Sequence, residues 1–132
     1  MVEVRWAATS LESGRFDALV ARSDIEALDE RFAALKEQGE GYLEVRGHDD
    51  YPALTMGFRG SVAVVQAFTD QASMSILEGD GSVHGESVEV PVMDEDAVFS
   101  GHLGIETDRA WSVVQGFLRG RDLIELGEWF VL

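Results

Sequence analysis

The chain has no cysteine. That one absence removes a disulfide framework, thiolate metal sites, cysteine nucleophiles and iron–sulfur clusters together. Proline is almost missing: Pro52 and Pro91 are the two there are, and no stretch rich in Pro, Gly or Ser marks a linker. There is no internal repeat and no low-complexity tract. No apolar run approaches the roughly 20 residues that span a bilayer as a helix, so no membrane contact is expected. The opening MVEVRW carries an acid at once and lacks an apolar signal core, which predicts no secretion signal and a cytoplasmic site of action.

The most informative absence is positive charge over one long segment. Between Arg59 and Arg109 there is neither Lys nor Arg, while Asp70, Glu78, Asp80, Glu86, Glu89, Asp94, Glu95, Asp96, Glu106 and Asp108 all fall there. The whole chain, 132 residues with 25 acids and 10 bases, has a formal net charge of −15. Such a field repels nucleic acid and anionic membranes and attracts a basic surface. Solubility also benefits from acidity, but solubility does not require the acids to sit in one contiguous segment.

What is present is an ordinary globular sequence, 45% apolar and 27% charged, of a length that suits one domain. Val2 to Ala7 alternates apolar and charged residues with the period of a half-buried strand, and Phe16 to Arg22 reads as a second. Ser23-Asp24-Ile25-Glu26 reads as a capping box opening a helix in which Ile25, Leu28, Phe32 and Leu35 form the apolar stripe, ended by Gly39. Short apolar runs then predict strands at Tyr42–Arg46, Ala53–Arg59, Ser61–Phe68, Ser73–Leu77, Ser87–Val92 and Ala97–Ser100. The near-continuous run Val62, Val64 and Val65 marks a central strand covered on both faces. Thr107 or Asp108 caps a second helix ending at Gly120, and Asp122 to Leu132 has strand composition. The expected fold is α+β: one mainly antiparallel sheet of about five to seven strands with two amphipathic helices packed on it.

Chemistry is harder to find. His48, Asp49 and Asp50 could join His84 or His102 around a metal, but the spacing carries no known signature and reads better as a polar loop before a strand. Gly79 to Gly85 lacks both the dinucleotide fingerprint and the Gly-Lys-Ser/Thr ending of a phosphate loop, so it reads as a hairpin turn. Ser82 is in no Gly-x-Ser-x-Gly elbow. Asp94-Glu95-Asp96 points three carboxylates in different directions, the pattern of a solvated turn. Trp6, Trp111 and Trp129 fall at core positions, with Trp129 also placed to anchor a partner. No catalytic residue, metal or cofactor is expected; the sequence describes a binder.

From Tyr51-Pro52-Ala53-Leu54-Thr55-Met56-Gly57-Phe58-Arg59-Gly60 onward, the order of features resembles the Imm-one family of bacterial immunity proteins, encoded next to polymorphic toxins that often carry deaminase or nuclease domains. The resemblance continues through Ala63-Val64-Val65, the Gly-rich hairpins, Val88-Glu89-Val90-Pro91 and the helix Arg109 to Arg119, and ends on Glu128-Trp129-Phe130-Val131-Leu132. The chain departs from the family pattern at Arg119-Gly120-Arg121-Asp122, where a proline-containing turn is usual, and in the hairpins, which have Met74, Ile76 and Leu77 in place of an aromatic-Gly pairing. The resemblance implies an antidote that binds a cognate toxin domain and blocks its active site. Charge then names the expected contact surface, Asp80, Glu86, Glu89, Asp94, Glu95 and Asp96, with Asp49 and Asp50 joining it. Two other readings stand beside this one. A chaperone or adaptor for a secreted effector, or a DNA mimic, has the same composition; a small metal-dependent hydrolase would use His48, His84 and the acids.

Overall fold

A computed structural model describes residues 3–47 and 49–131. Val2, His48 and Leu132, which entered the strand and metal readings above, lie outside the described residues. The elements run β1 (Val4–Thr9), β2 (Phe16–Ser23), α1 (Ile25–Gln38), β3 (Glu40–Arg46), β4 (Ala53–Arg59), β5 (Val62–Phe68) and β6 (Met74–Leu77). There follow β7 (Ser87–Val92), β8 (Glu95–Ser100), a 3-10 turn at Gly101–Leu103, β9 (Ile105–Glu106), α2 (Thr107–Leu118), α3 (Leu123–Leu126) and β10 (Trp129–Val131). The large sheet has the order β10-β6-β5-β4-β3-β1-β2, with β9 added beside β5, and β7–β8 is a separate two-stranded sheet. The α+β architecture matches the sequence expectation. The sheet has seven strands along its path and an eighth in the two-residue β9.

Strand alternation sends Leu54, Met56 and Phe58 of β4 and Ala63, Val65 and Ala67 of β5 to one face, where they meet Leu28, Phe32 and Leu35 of α1 and Ala110, Trp111 and Val114 of α2. Val64 and Ile76 point to the opposite face and pack with Val88 and Val90 of β7 and with Leu103. The two-sided covering of β5 is as its sequence predicts. The helices are tied together at Asp29, whose Oδ1 accepts from Trp111 Nε1 at 2.9 Å and Gln115 Nε2 at 2.8 Å, beside stacked rings of Phe32 and Trp111 4.2 Å apart.

Four local expectations are corrected. Asp24, not Ser23, caps α1: its Oδ1 accepts from the Ala27 amide at 2.9 Å, because the Ser23 hydroxyl already accepts from Trp6 Nε1 at 2.8 Å. Thr107 does not cap α2, which starts after Glu106 without a side-chain cap. The Thr107 amide and hydroxyl donate instead to Ser61 O and Gly60 O, both at 2.9 Å, which pins the helix start to the β4–β5 turn. Gly79 to Gly85 is no hairpin turn; it carries the chain from the large sheet to the small one. A Cβ at Gly79 would sit 2.4 Å from Gly104 O, so this glycine serves close backbone approach. The closing segment is a short helix before a short strand, since Leu123 and Leu126, three residues apart, both turn onto the core.

The small sheet rests where β4 has no side chain. A Cβ on Gly57 would lie 2.2 Å from the carbonyl oxygen of Pro91 in β7. Gly57→Ala is therefore expected to push β7 off the sheet and destabilise the protein by about 1–3 kcal/mol. Gly47→Ala, with nothing within 4 Å of the added carbon, should be close to neutral. Urea unfolding of the two variants compares them directly.

Candidate functional site

The eight acids named from the sequence do not converge. Asp49 and Asp50 lie in the β3–β4 loop, Asp80 and Glu86 in the β6–β7 connection, and Glu89, Asp94, Glu95 and Asp96 on the β7–β8 hairpin. Most of them hold the fold. Arg59 at the end of β4 places Nη1 2.9 Å from Glu89 and Nη2 2.6 Å from Asp96 and 3.2 Å from Glu40. One guanidinium thus clamps the hairpin to the large sheet, and Asp96 first and Glu40 second hold its proton more tightly than usual. Asp94, in the hairpin turn, accepts from the Phe16 amide at 2.8 Å and fastens the tip to β2. Asp80 accepts from Ser82 and lies 3.1 Å from Arg109 Nε; these bonds, the Ser82 hydroxyl first, hold its carboxyl below the usual range. Asp50 pairs with Arg5 at 2.9 Å. Glu86, Glu95 and Asp49 are exposed and make no side-chain hydrogen bond or ion pair among the described residues.

The structure does bring Asp50 and Asp94 to one place. The face of the large sheet opposite the helices is covered by the hairpin over β4, β5 and the start of β3, and left open over β1, β2 and the Glu44–Arg46 end of β3. The open part is a cleft of about 680 Å³. Its floor is Arg5 and Ala7 of β1, Phe16, Ala18 and Val20 of β2, and Glu44 and Arg46 of β3; Asp50, Tyr51, Gln71, Met93 and Asp94 stand around it. Met93, at the hairpin turn, has φ 56, a left-handed conformation that apolar side chains rarely adopt, and is 52% exposed. Asp49 faces a separate hollow of about 610 Å³ between the β3–β4 loop and the end of α2, where Arg119 and Arg121 also sit.

Glu44 is the functional candidate that sequence reading missed. It is half-buried on the cleft floor and no hydrogen bond reaches its carboxylate among the described residues. Burial pushes its carboxyl above the usual glutamate range, against a smaller opposing pull from Arg46. Two residues earlier, the Tyr42 hydroxyl is raised further still, by burial first and Glu44 second. In sequence Glu44 is one polar residue in the alternation Tyr42-Leu43-Glu44-Val45-Arg46. The available signal was Tyr42, an aromatic two residues before Glu44 and so on the same strand face.

No protein-family model matches this chain, and no curated protein is similar to it. Function therefore rests on what the site can do. Among the described residues no group of three His, Asp or Glu side chains could hold a metal ion, and no helix is long and apolar enough to cross a membrane. His84 and His102 are both exposed, and His102 lies edge-on to Phe130 with ring centres 6.4 Å apart. The cleft offers charge, aromatic surface and one desolvated carboxylate, which are means of recognition.

Two outcomes follow from this geometry. Arg59→Gln should cost about 1–2 kcal/mol, the sum of partly exposed pairs, and should speed amide hydrogen exchange along β7 and β8 before any other strand. Glu44→Gln should change stability with a definite sign. The folded state raises the Glu44 pKa, so its protonated form is favoured; the parent protein is relieved of the penalty at acid pH and bears it fully once pH rises through the raised value. At about pH 7 the variant should be the more stable protein, and at about pH 4 the two should converge; urea unfolding at both values measures it.

Proposed function

We propose that this chain is a cytoplasmic immunity protein, as its resemblance to the Imm-one family implies, which binds and inhibits a cognate toxin domain of deaminase or nuclease type. The observation that carries the reading is the base-free segment from Gly60 to Asp108 with its ten acids, four of which, Glu89, Asp94, Glu95 and Asp96, lie on the β7–β8 hairpin. A toxin that acts on nucleic acid needs a basic cleft for phosphates, and an acidic surface occupies such a cleft while speeding encounter.

Internal pairing refines the contact surface. Asp50, Asp80, Glu89, Asp94 and Asp96 already hold basic groups or backbone amides of their own chain. Charge reversal there would disturb the fold as well as a partner. Glu86, Glu95 and Asp49 carry charge that no internal contact uses among the described residues, so they report on binding.

The test starts by co-purifying the partner from the native host and mixing it with this chain. Stoichiometric loss of the partner's catalytic activity is expected, with Glu86→Lys/Glu95→Lys slowing association about tenfold or more at low salt and little at high salt. A stable complex whose catalysis is intact would make the chain a chaperone or adaptor. An association rate indifferent to both reversals and to salt would remove the acidic surface from the mechanism.

A further inference from the structure

We infer that the cleft over β1, β2 and β3 is a receptor for one cationic side chain, arginine or lysine, projecting from a basic protein partner, with Glu44 as its counter-ion. The inference rests on the proposed acidic binder and gives that binder its anchor.

Charge decides the sign of the occupant. Arg5 is committed to Asp50 through Nη1 and to Gly47 O through Nε at 3.3 Å. Glu44 has no such commitment, and Arg46 makes no ion pair with it among the described residues. Counting Glu44, Asp50 and Asp94 against Arg5 and Arg46, the cleft is one charge negative, in a molecule whose formal charge is −15.

Shape and polarity decide the class. Arginine and lysine have an apolar stem and a charged head, and they bind best where a greasy wall leads to a carboxylate. Ala7, Ala18 and Val20 supply the wall beside Glu44, and Phe16 and Tyr51 add aromatic surface of the kind that attracts a guanidinium. A carboxylate half removed from water and without a hydrogen bond destabilises the free protein, and an arriving cation relieves that cost. Buried charge anchored in this way supplies affinity, whereas the exposed acids mainly set the rate of encounter.

The experiment uses the whole ¹⁵N-labelled chain and needs no toxin. Nα-acetyl-arginine amide is titrated while amide shifts are followed, with Nα-acetyl-citrulline amide as its uncharged counterpart and N-acetyl-glutamate as an anion. Saturable shifts at Ala7, Ala18 and Glu44 are expected with the arginine probe alone, together with a fall in the pH at which the Glu44 carboxyl titrates. Glu44→Gln should weaken the probe about tenfold or more. Ala18→Arg, which keeps Glu44 and fills the cleft with the chain's own cation, should abolish binding; the unchanged amide spectrum of β4 and β5 verifies that each variant is folded. Equal shifts with the citrulline probe, indifference to both substitutions, binding confined to other surfaces, or preference for N-acetyl-glutamate would each overturn the inference. Probe binding without inhibition of any toxin would instead preserve the receptor and reject the immunity function.

Discussion

The two middle strands of the sheet are buried on both faces, and much of the molecule is arranged to keep both faces from water. β5 is buried along nearly its whole length, and β4 fully so until Arg59. One face is covered by α1 and α2 through Leu28, Phe32, Leu35 and Trp111. A helix layer reaches only one side, so the other is closed by an excursion of the chain, the β7–β8 hairpin, which lays Val88 and Val90 over Val64 and Ile76. Gly57 lets the hairpin backbone approach, and Arg59 holds it by its acids. Because the hairpin is only six residues along each arm, it does not also cover β1, β2 and the Glu44–Arg46 end of β3. The cleft is what remains.

The same arrangement changes the meaning of the charge. Read along the chain, the segment after Arg59 is a block of uncompensated acid. In space, Arg59 and Arg109, the residues that bound it, fold back onto Glu89, Asp96 and Asp80, and Arg5 comes from β1 to meet Asp50. Acids that look equivalent in sequence therefore divide into those that secure the fold and those, such as Glu86 and Glu95, that face solvent without an internal partner among the described residues. Net charge survives the division, since pairing within a chain redistributes the field and leaves its total unchanged; what sharpens is where a partner would meet it.

Glu44 illustrates how a local stability deficit and a recognition site coincide. Its carboxylate is drawn from water in the cleft that β1, β2 and the end of β3 line, yet receives no hydrogen bond in return among the described residues. Tyr42 lies deeper along the same strand face, with its ring edge-on to Phe16 at 5.2 Å between centres. The floor of the cleft is thus firm, with apolar contact below and one frustrated charge at its centre.

Most of the element order was legible from residues alone, because strand and helix periods are local properties. Ala53 to Arg59 and Ser87 to Val92 match the observed strands end to end, and Gly39 ends α1 in the left-handed conformation expected of it. Capping misled where a hydroxyl had a better distant partner, as Ser23 has in Trp6 and Thr107 in the β4–β5 turn. Gly79 misled because close approach of two backbones and a chain reversal ask for the same residue. The absence of cysteine, the acidic field and the two-faced strand β5 belonged to the sequence, being matters of composition and period. The separate hairpin sheet, the Arg59 clamp and the burial of Glu44 came only with tertiary structure, since each depends on which groups distant in the chain are brought within a few ångströms.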